Sequence, residues 1–434
     1  MCPTTTAETI STIWRTESAR LVGALTRMTR DLDLAEDLAQ DALVAALEQW
    51  PDQGVPANPG AWLMSIAKRR GIDGVRRAET LHRKNQELAR TGEADAMPDL
   101  TDQVDFIEDD VLRLIFVSCH PVLTPESRAA MTLRMVGGLT TGEIARGFVS
   151  TEKSMGQRIS RAKKTLREAG TDFELPTGAD RAARLDDVMA VIYLVFNEGY
   201  TATAGGDWMR PELTAEAIRL ARMLATLMPD EPDVHGLQSL LELQASRVPA
   251  RVDAQGNAVL LDDQDRSRWD ELLIRRGLAA LDRAEALARR GKPVGSYFLQ
   301  AQIAAVHARA STADDTDWRA IATFYDLLAE AAPGAVVEVN RAVAHGRAFG
   351  PHAGLAVLDA VPDDALPGSH LSAAVRGDLL LRVGRADEAA AAFRAAAELT
   401  RNERERAVLL ARAESAHQVA SDASYSGVSS PTDE

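Results

Sequence analysis

The stretch "LTPESRAAMTLRMVGGLTTGEIARGFVSTEKSMGQRISRAKKTLREAG" (123–170) contains successive helix starts separated by short turns. Thr124-Pro125-Glu126 sets a capping hydroxyl before a proline at the first helical position, where its missing N–H costs nothing. Met131, Leu133, Met135 and Val136 form the apolar side of that helix, and Gly137-Gly138 end it. Thr140 or Thr141 caps a short helix through Glu143, Ile144 and Ala145, and a turn over 147–150 leads to a long helix from Thr151 or Glu152. Over 152–169 that helix carries Lys153, Arg158, Arg161, Lys163, Lys164 and Arg167 against Glu152 and Glu168. Ile159, Ala162 and Leu166 supply its packing stripe. A short helix, a tight turn and a basic helix form the helix-turn-helix pattern, whose second helix enters the major groove.

The rest of the chain is helical too. Ala and Leu dominate, strand-like alternation is almost absent, and apolar residues recur at helical spacing, so the fold class expected is all-α. "RDLDLAEDLAQDALVAALEQW" (30–50) reads as an amphipathic helix with Leu34, Leu38, Ala42 and Ala45 on one stripe and Leu43, Ala46 and Leu47 beside it. Glu36, Asp37, Gln40 and Asp41 gather opposite, as a solvated face or as a docking surface for a basic partner. "NPGAWLMSIAKRRGIDGVRR" (58–77) follows a Pro/Gly loop, with Asn58 as N-cap and Pro59 at the first helical position. Trp62, Leu63, Ile66 and Ala67 make its apolar face, and Lys68, Arg69, Arg70, Arg76 and Arg77 come behind them. Arg69 and Arg76 lie seven apart, as do Arg70 and Arg77, so each pair sits two turns along one side, a spacing that suits a phosphate backbone.

Composition sets the frame. Of 434 residues, 46% are hydrophobic and 26% charged, ordinary values for a globular protein, and the net charge is −15. That balance argues against indiscriminate nucleic-acid binding while leaving room for local basic patches. No apolar run reaches the ~18 residues a membrane span needs, and the N-terminus has no basic segment followed by an apolar block. Cys2 and Cys119 are the only cysteines, too few for a disulfide framework, and the reading is a cytoplasmic protein with no membrane partner. Residues 87–110 hold nine acids against Arg90 alone and read as a flexible acidic linker. The expected organisation is a helical domain over 1–80, a linker over 81–110, a helix-turn-helix domain over 111–172, a helical extension over 180–420 and a disordered tail over 421–434. Within the extension, Gly350 and Gly384 occupy equivalent places in "RAFGPHAGLAVLDA" (347–360) and "LRVGRADEAAAAFR" (381–394), 34 residues apart, which is the tetratricopeptide period. Ala389 and Phe393 would pack inward there.

Taken together and in order, these elements over the first ~175 residues resemble the bacterial extracytoplasmic-function sigma factors, the smallest class of RNA polymerase sigma subunits. "MAVIYLVFNEGYTAT" (189–203), "LTAEAIRLARML" (213–224), "LLDDQDRSRWD" (260–270) and "DTDWRAIATFYDLL" (315–328) resemble the blocks of a subgroup with a long, tetratricopeptide-like C-terminal extension. The resemblance implies two small sigma domains, core RNA polymerase and promoter DNA as partners, no cofactor, and no enzymatic activity. It implies that Glu36, Asp37, Gln40 and Asp41 face basic coiled-coil helices of the polymerase. Asn58, Lys68, Arg69, Arg70, Arg76 and Arg77 would meet the −10 element. Lys153, Ser154, Gln157, Arg158, Arg161 and Lys164 would read the −35 element, with Thr140 and Thr141 available to phosphates. The extension is expected to contact the sigma domains or the polymerase and to modulate activity. A DNA-tethered helical scaffold or ligand sensor is the alternative, and it has no need of an acidic docking helix.

Two features depart from the wider sigma pattern: Trp62 is the only aromatic in its segment and is assigned to packing, and Gly156 sits unfavourably inside the recognition helix, by about 1 kcal/mol relative to Ala. "FNEGYTATAGGDWMRPEL" (196–213), with Asn197, Glu198, Tyr200, Asp207 and Arg210 among glycines, reads as a structured loop rather than a catalytic site, and Cys119-His120 as a packed helix end rather than a metal dipeptide.

Overall fold

Described in the computed structural model are residues 6–70, 104–148, 150–171, 173–200, 211–253, 259–362, 365–366, 368–400 and 403–426. Among them the regular elements are helices, with no β-strand. The chain divides into a unit ending at Val195 and a unit beginning at Phe196.

In the first unit, α1 (Thr6–Thr29) and α2 (Leu32–Gln53) form an antiparallel pair, joined through Arg30 at φ 53° and capped by Asp31, whose Oδ1 accepts from the N–H of Asp33 (2.9 Å) and Leu34 (3.1 Å). α3 covers 59–70, and α4 (Val104–Ser118) packs on α1. Helix α4 begins inside the stretch expected to be linker. The buried face of α2 is Ala35, Leu38, Ala39, Ala42, Ala45, Ala46 and Trp50, whereas Leu34 is 41% and Leu47 47% exposed. The expected stripe is therefore rotated: small alanines make the close α1–α2 contact and leave those leucines outside.

The helix-turn-helix follows as α5 (Pro125–Met135), α6 (Thr141–Gly147) and α7 (Glu152–Glu168). Each starts on a threonine cap: Thr124 accepts from Ser127 N, Thr140 from Glu143 N, and Thr151 from Ser154 N. Met155, Ile159, Ala162 and Leu166 are the buried stripe of α7. Helix α8 (Gly178–Tyr200) returns over this domain, where Arg184 donates to the Phe116 carbonyl (2.8 Å) and Asp187 accepts from Arg128 (2.7 Å).

In the second unit, α9 (Pro211–Leu227), α10 (Pro232–Ala245), α11 (Glu271–Arg289), α12 (Ser296–Arg309), α13 (Trp318–Ala331), α14 (Ala335–Ala348), α15 (Pro351–Asp359), α16 (Leu371–Arg382), α17 (Ala386–Leu399) and α18 (Glu403–Ser426) pack largely neighbour on neighbour, a repeat-like architecture. Gly350 (φ 99°) and Gly384 (φ 81°) both turn the chain with left-handed backbone between the helices of a hairpin, in keeping with their equivalent places in the sequence. Ala389 and Phe393 are fully buried. Helix α18 runs through Ser426, past the point where a disordered tail was expected to begin.

Candidate nucleic-acid interface

Recognition helix α7 shows two faces. Lys153, Ser154, Gln157, Arg161 and Lys164 are exposed and Arg158 half-buried, while the opposite side is inserted in the core. This puts Lys153, Ser154, Gln157 and Arg158 in the N-terminal half of the second helix, the part that meets base edges in a helix-turn-helix, with Arg161 and Lys164 further along the same helix. Helix α7 passes through Gly156 without a break, and a Cβ there would meet only Thr141 Cγ2 at 3.8 Å. Thr140 is committed within its own capping box: its hydroxyl donates to Glu143 Oε2 (2.8 Å), as does its N–H (2.7 Å). The expectation that Thr140 is available to phosphates is corrected on this point. Thr141 is half-buried at the start of α6.

On α3, Asn58 is the N-cap, its Oδ1 accepting from Ala61 N at 3.1 Å, and Trp62 stands edge-on to buried Trp50 with ring centroids 5.2 Å apart, a packing role. Lys68 and Arg70 are half-buried and Arg69 is exposed. Arg76 and Arg77 lie outside the described residues. Arg70 pairs with Asp41 (3.2 Å), so one residue expected at DNA and one expected at polymerase hold each other on the surface.

The acidic face of α2 is split. Asp37 and Asp41 are exposed and Gln40 half-buried, and with Leu34, Val44 and Glu48 they form a mixed apolar and acidic stripe at helical spacing. Glu36 is not on that stripe; it is only 7% exposed, against its expected place on solvent. Its Oε1 accepts from Arg134 Nε at 2.6 Å and its Oε2 meets Lys163 Nζ, while Asp33 takes Lys163 (3.1 Å) and Arg167. Burial raises the Glu36 carboxyl, but the two cations outweigh it, and its pKa lies below the ordinary value. A second cross-brace joins Arg15 on α1 to Glu143 on α6 at 2.7 Å. Asp110, fully buried on α4, accepts from Arg27 and Arg113, each at 2.9 Å. There burial wins, and the carboxyl is pushed up.

Residues outside this interface behave structurally. The Cys119 thiol meets Thr132 Oγ1 at 3.2 Å, and burial pushes its pKa up to about 12. Tyr200 lies under the Arg251 guanidinium, 3.8 Å from its ring centroid. Asn197 and Glu198 are half-buried near the end of α8, whereas Asp207 and Arg210 lie outside the described residues. No group of three or more metal-binding side chains occurs among the described residues, and no helix among them is long and apolar enough to cross a membrane. Two of the recurring blocks meet in the second unit: Arg266 donates to the carbonyls of His307 (2.8 Å) and Ala310 (2.7 Å) and to Thr316 Oγ1 (3.0 Å).

The described residues of the first unit thus present an exposed acidic-apolar stripe on α2 and a capped helix-turn-helix whose second helix is basic on its outer face. Comparison with known proteins agrees. Residues 13–80 match the sigma-70 region 2 family, residues 113–166 the sigma-70 region 4 family, and residues 184–285 a family of unknown function, DUF6596. The chain is 30% identical over 162 residues to the ECF RNA polymerase sigma factor SigK of Mycobacterium sp. (strain JLS), covering 36% of this chain and 75% of that protein. It is 29% identical over 161 residues to the probable ECF RNA polymerase sigma factor SigI of Mycobacterium tuberculosis, covering 37% of this chain and 55% of that one. It is also 43% identical over 390 residues to the uncharacterized protein R00370 of Rhizobium meliloti, covering 89% and 91% of the two chains. The chain belongs to the extracytoplasmic-function RNA polymerase sigma factor family, with a C-terminal helical extension. Its role is promoter recognition, and it is not an enzyme.

Proposed function

We propose that the sigma functions of this chain fall to three sets of residues, on α2, α3 and α7, the first two of which adjoin where Arg70 pairs with Asp41. The exposed stripe of α2, with Asp37, Gln40 and Asp41 beside Leu34 and Val44, docks core polymerase: its mixture of acids and aliphatics at helical spacing suits basic, amphipathic helices. Asn58 and Lys68 to Arg70 on α3, with Arg76 and Arg77 beyond, meet the −10 element. Lys153, Ser154, Gln157, Arg158, Arg161 and Lys164 on α7 read the −35 element. The observation that carries this reading is the division of α7 into a buried apolar stripe and an exposed basic face beginning at its capped N-terminus. The extension modulates initiation through contacts with the sigma domains or the polymerase.

Polymerase capture by full-length protein carrying Asp37→Lys and Asp41→Lys tests the docking surface. Capture should fall at least about tenfold for two reversed charges at a protein interface, and wild-type capture by that variant would remove α2 from the assignment. The extension is tested by truncation. A stop at residue 180 would strip Arg184 and Asp187 from their partners on α4 and α5, so the cut belongs after Tyr200. Unchanged transcript level and start-site choice from that truncation would refute modulation by the extension.

A further inference from the structure

The second unit holds a cavity of about 530 Å³ between α9, α10 and α11, and its wall is rich in positive charge. Arg222 comes from α9, Arg283 from α11 and Arg290 from the C-cap of α11. Asp230, in the turn between α9 and α10, is the one carboxylate of that wall among the described residues. Arg283, Leu287 and Arg290 stand four and seven apart, so α11 turns a single face to the cavity. Arg283 and Arg290 are exposed and have no ion-pair partner among the described residues. Arg222 is held from behind: its Nε donates to Oε1 of Glu242 at 2.7 Å, and Gln238 donates to the same oxygen at 3.2 Å. Glu242 is fully buried on α10, and the two terminal nitrogens of Arg222 have no partner among the described residues.

A second and independent feature lies in the same wall. His235 is only 5% exposed, and its Nε2 stands 2.9 Å from the Pro229 carbonyl. A carbonyl can only accept, so Nε2 carries the proton and Nδ1 of the neutral ring is an acceptor. That Nδ1 is buried and has no hydrogen-bond partner. A buried polar nitrogen left unpaired in the wall of a cavity calls for a donor. The guanidinium groups therefore ask for an anion and the imidazole for a hydroxyl. The volume lies within the range of about 300–1,000 Å³ usual for small-molecule sites.

We propose that this cavity binds a small hydroxylated anion, a phosphate monoester or a hydroxycarboxylate. Its anionic group sits among Arg283, Arg290 and the terminal nitrogens of Arg222, where planar guanidinium groups give charge-assisted and bidentate hydrogen bonds. Its hydroxyl donates to Nδ1 of His235. Glu242 is a positioning residue: it fixes Arg222 through Nε and leaves the other end of the guanidinium for the ligand. The site uses no residue assigned to polymerase or promoter. Binding can be measured without polymerase, whereas an effect of the ligand on transcription rests on the modulation by the extension proposed above.

The test is isothermal titration of the full-length chain at about 0.15 M salt, where diffuse surface attraction is largely screened. The probes are glycerol 3-phosphate and malate, each with a partner lacking the hydroxyl, propyl phosphate and succinate, and glycerol as the uncharged control. Glycerol 3-phosphate or malate should bind with a Kd below about 1 mM, and glycerol should not bind. Whichever of the two binds names the anion class. Its partner without the hydroxyl should bind about fivefold more weakly, the worth of one hydrogen bond. Arg283→Ala and Arg290→Ala should each weaken binding about tenfold, as for a lost hydrogen bond to a charged group. Arg275→Ala, an equally exposed position of α11 outside the wall, should change nothing. These arginines are exposed and unpaired, so the variants should fold, which circular dichroism checks. No binding of either anion at millimolar concentrations would overturn the site, as would equal losses from Arg275→Ala and Arg283→Ala. Equal affinity for malate and succinate, or for the two phosphates, would overturn the part given to His235. In transcription with core polymerase, the bound ligand should change output from the wild type and not from the Arg283→Ala, Arg290→Ala double variant. Binding that follows these variants while transcription stays unchanged would uphold the site and refute modulation through it.

Discussion

Lys163 and Lys164 are neighbours in sequence with opposite surroundings, and replacing each by alanine separates the two jobs of α7. Lys163 is 16% exposed and bridges Asp33 and Glu36; Lys164 is 70% exposed, with only Glu168 one turn away at 3.6 Å. Lys163→Ala leaves Glu36 buried with Arg134 as its remaining cation, and orphaning part of a buried charged hydrogen-bond set costs about 1–3 kcal/mol. For a unit of this size that corresponds to a fall in Tm of roughly 2–4 °C per kcal/mol. Lys164→Ala loses an exposed helical pair worth about 0.3–0.5 kcal/mol at most, so its Tm should hardly move. On DNA the order reverses. Neutralising one fewer phosphate reduces the slope of log K against log salt by about 0.9, which at 0.1 M salt is up to about eightfold in affinity. The assays are a thermal melt followed by circular dichroism and a salt series of fluorescence anisotropy on a −35 duplex. Equal melting losses in both variants, or a salt slope changed by Lys163→Ala and not by Lys164→Ala, would refute the division of α7 into a side paired with α2 and a DNA face.

Gly156→Ala should stabilise α7 by about 0.5–1 kcal/mol in a denaturant titration, because the helix is continuous there and the new methyl meets nothing closer than 3.8 Å. A loss of stability would mean that α7 bends at this residue. His307 is held neutral by burial and by Arg247, Arg266 and Arg347, with its pKa pushed down to about 3. Its contribution to the second unit is therefore present above pH 6.5 and is lost as pH falls, by about 1.4 kcal/mol per unit between 6.5 and 3. Melts at pH 7 and pH 5 should show this loss in wild type and a smaller one in His307→Gln; equal slopes would contradict it. A Cβ at Gly377 would meet the Phe393 ring at 2.8 Å, so Gly377→Ala should cost about 1–3 kcal/mol by overpacking, and a neutral result would contradict the tight α16–α17 packing.

What the sequence made legible was what depends on near neighbours. The caps at Thr124, Thr140 and Thr151 are hydrogen bonds spanning three residues, and the α7 stripe repeats every three or four, so both could be read directly. The equivalent glycines at 350 and 384 are equally local, because a left-handed turn has a residue preference of its own. Glu36 was misplaced because its partners, Arg134 and Lys163, are remote in sequence, and periodicity says which side of a helix a residue lies on but not what covers that side. The α2 stripe was rotated for a related reason. Hydropathy ranks Leu34 and Leu47 above Ala35 and Ala39, yet close helix crossing buries the small residues. The start of α4 was hidden by the acids from Asp105 to Asp110, the last of which is neutralised by Arg27 and Arg113 rather than by solvent.

The most direct test of the central claim is transcription in vitro from a promoter library, with core RNA polymerase alone and with the full-length protein added. The account predicts initiation that depends on this chain, at start sites sharing a −35 and −10 pair, with the −35 preference altered by Arg158→Ala and Arg161→Ala. Transcript levels and start sites identical with and without the protein would contradict it.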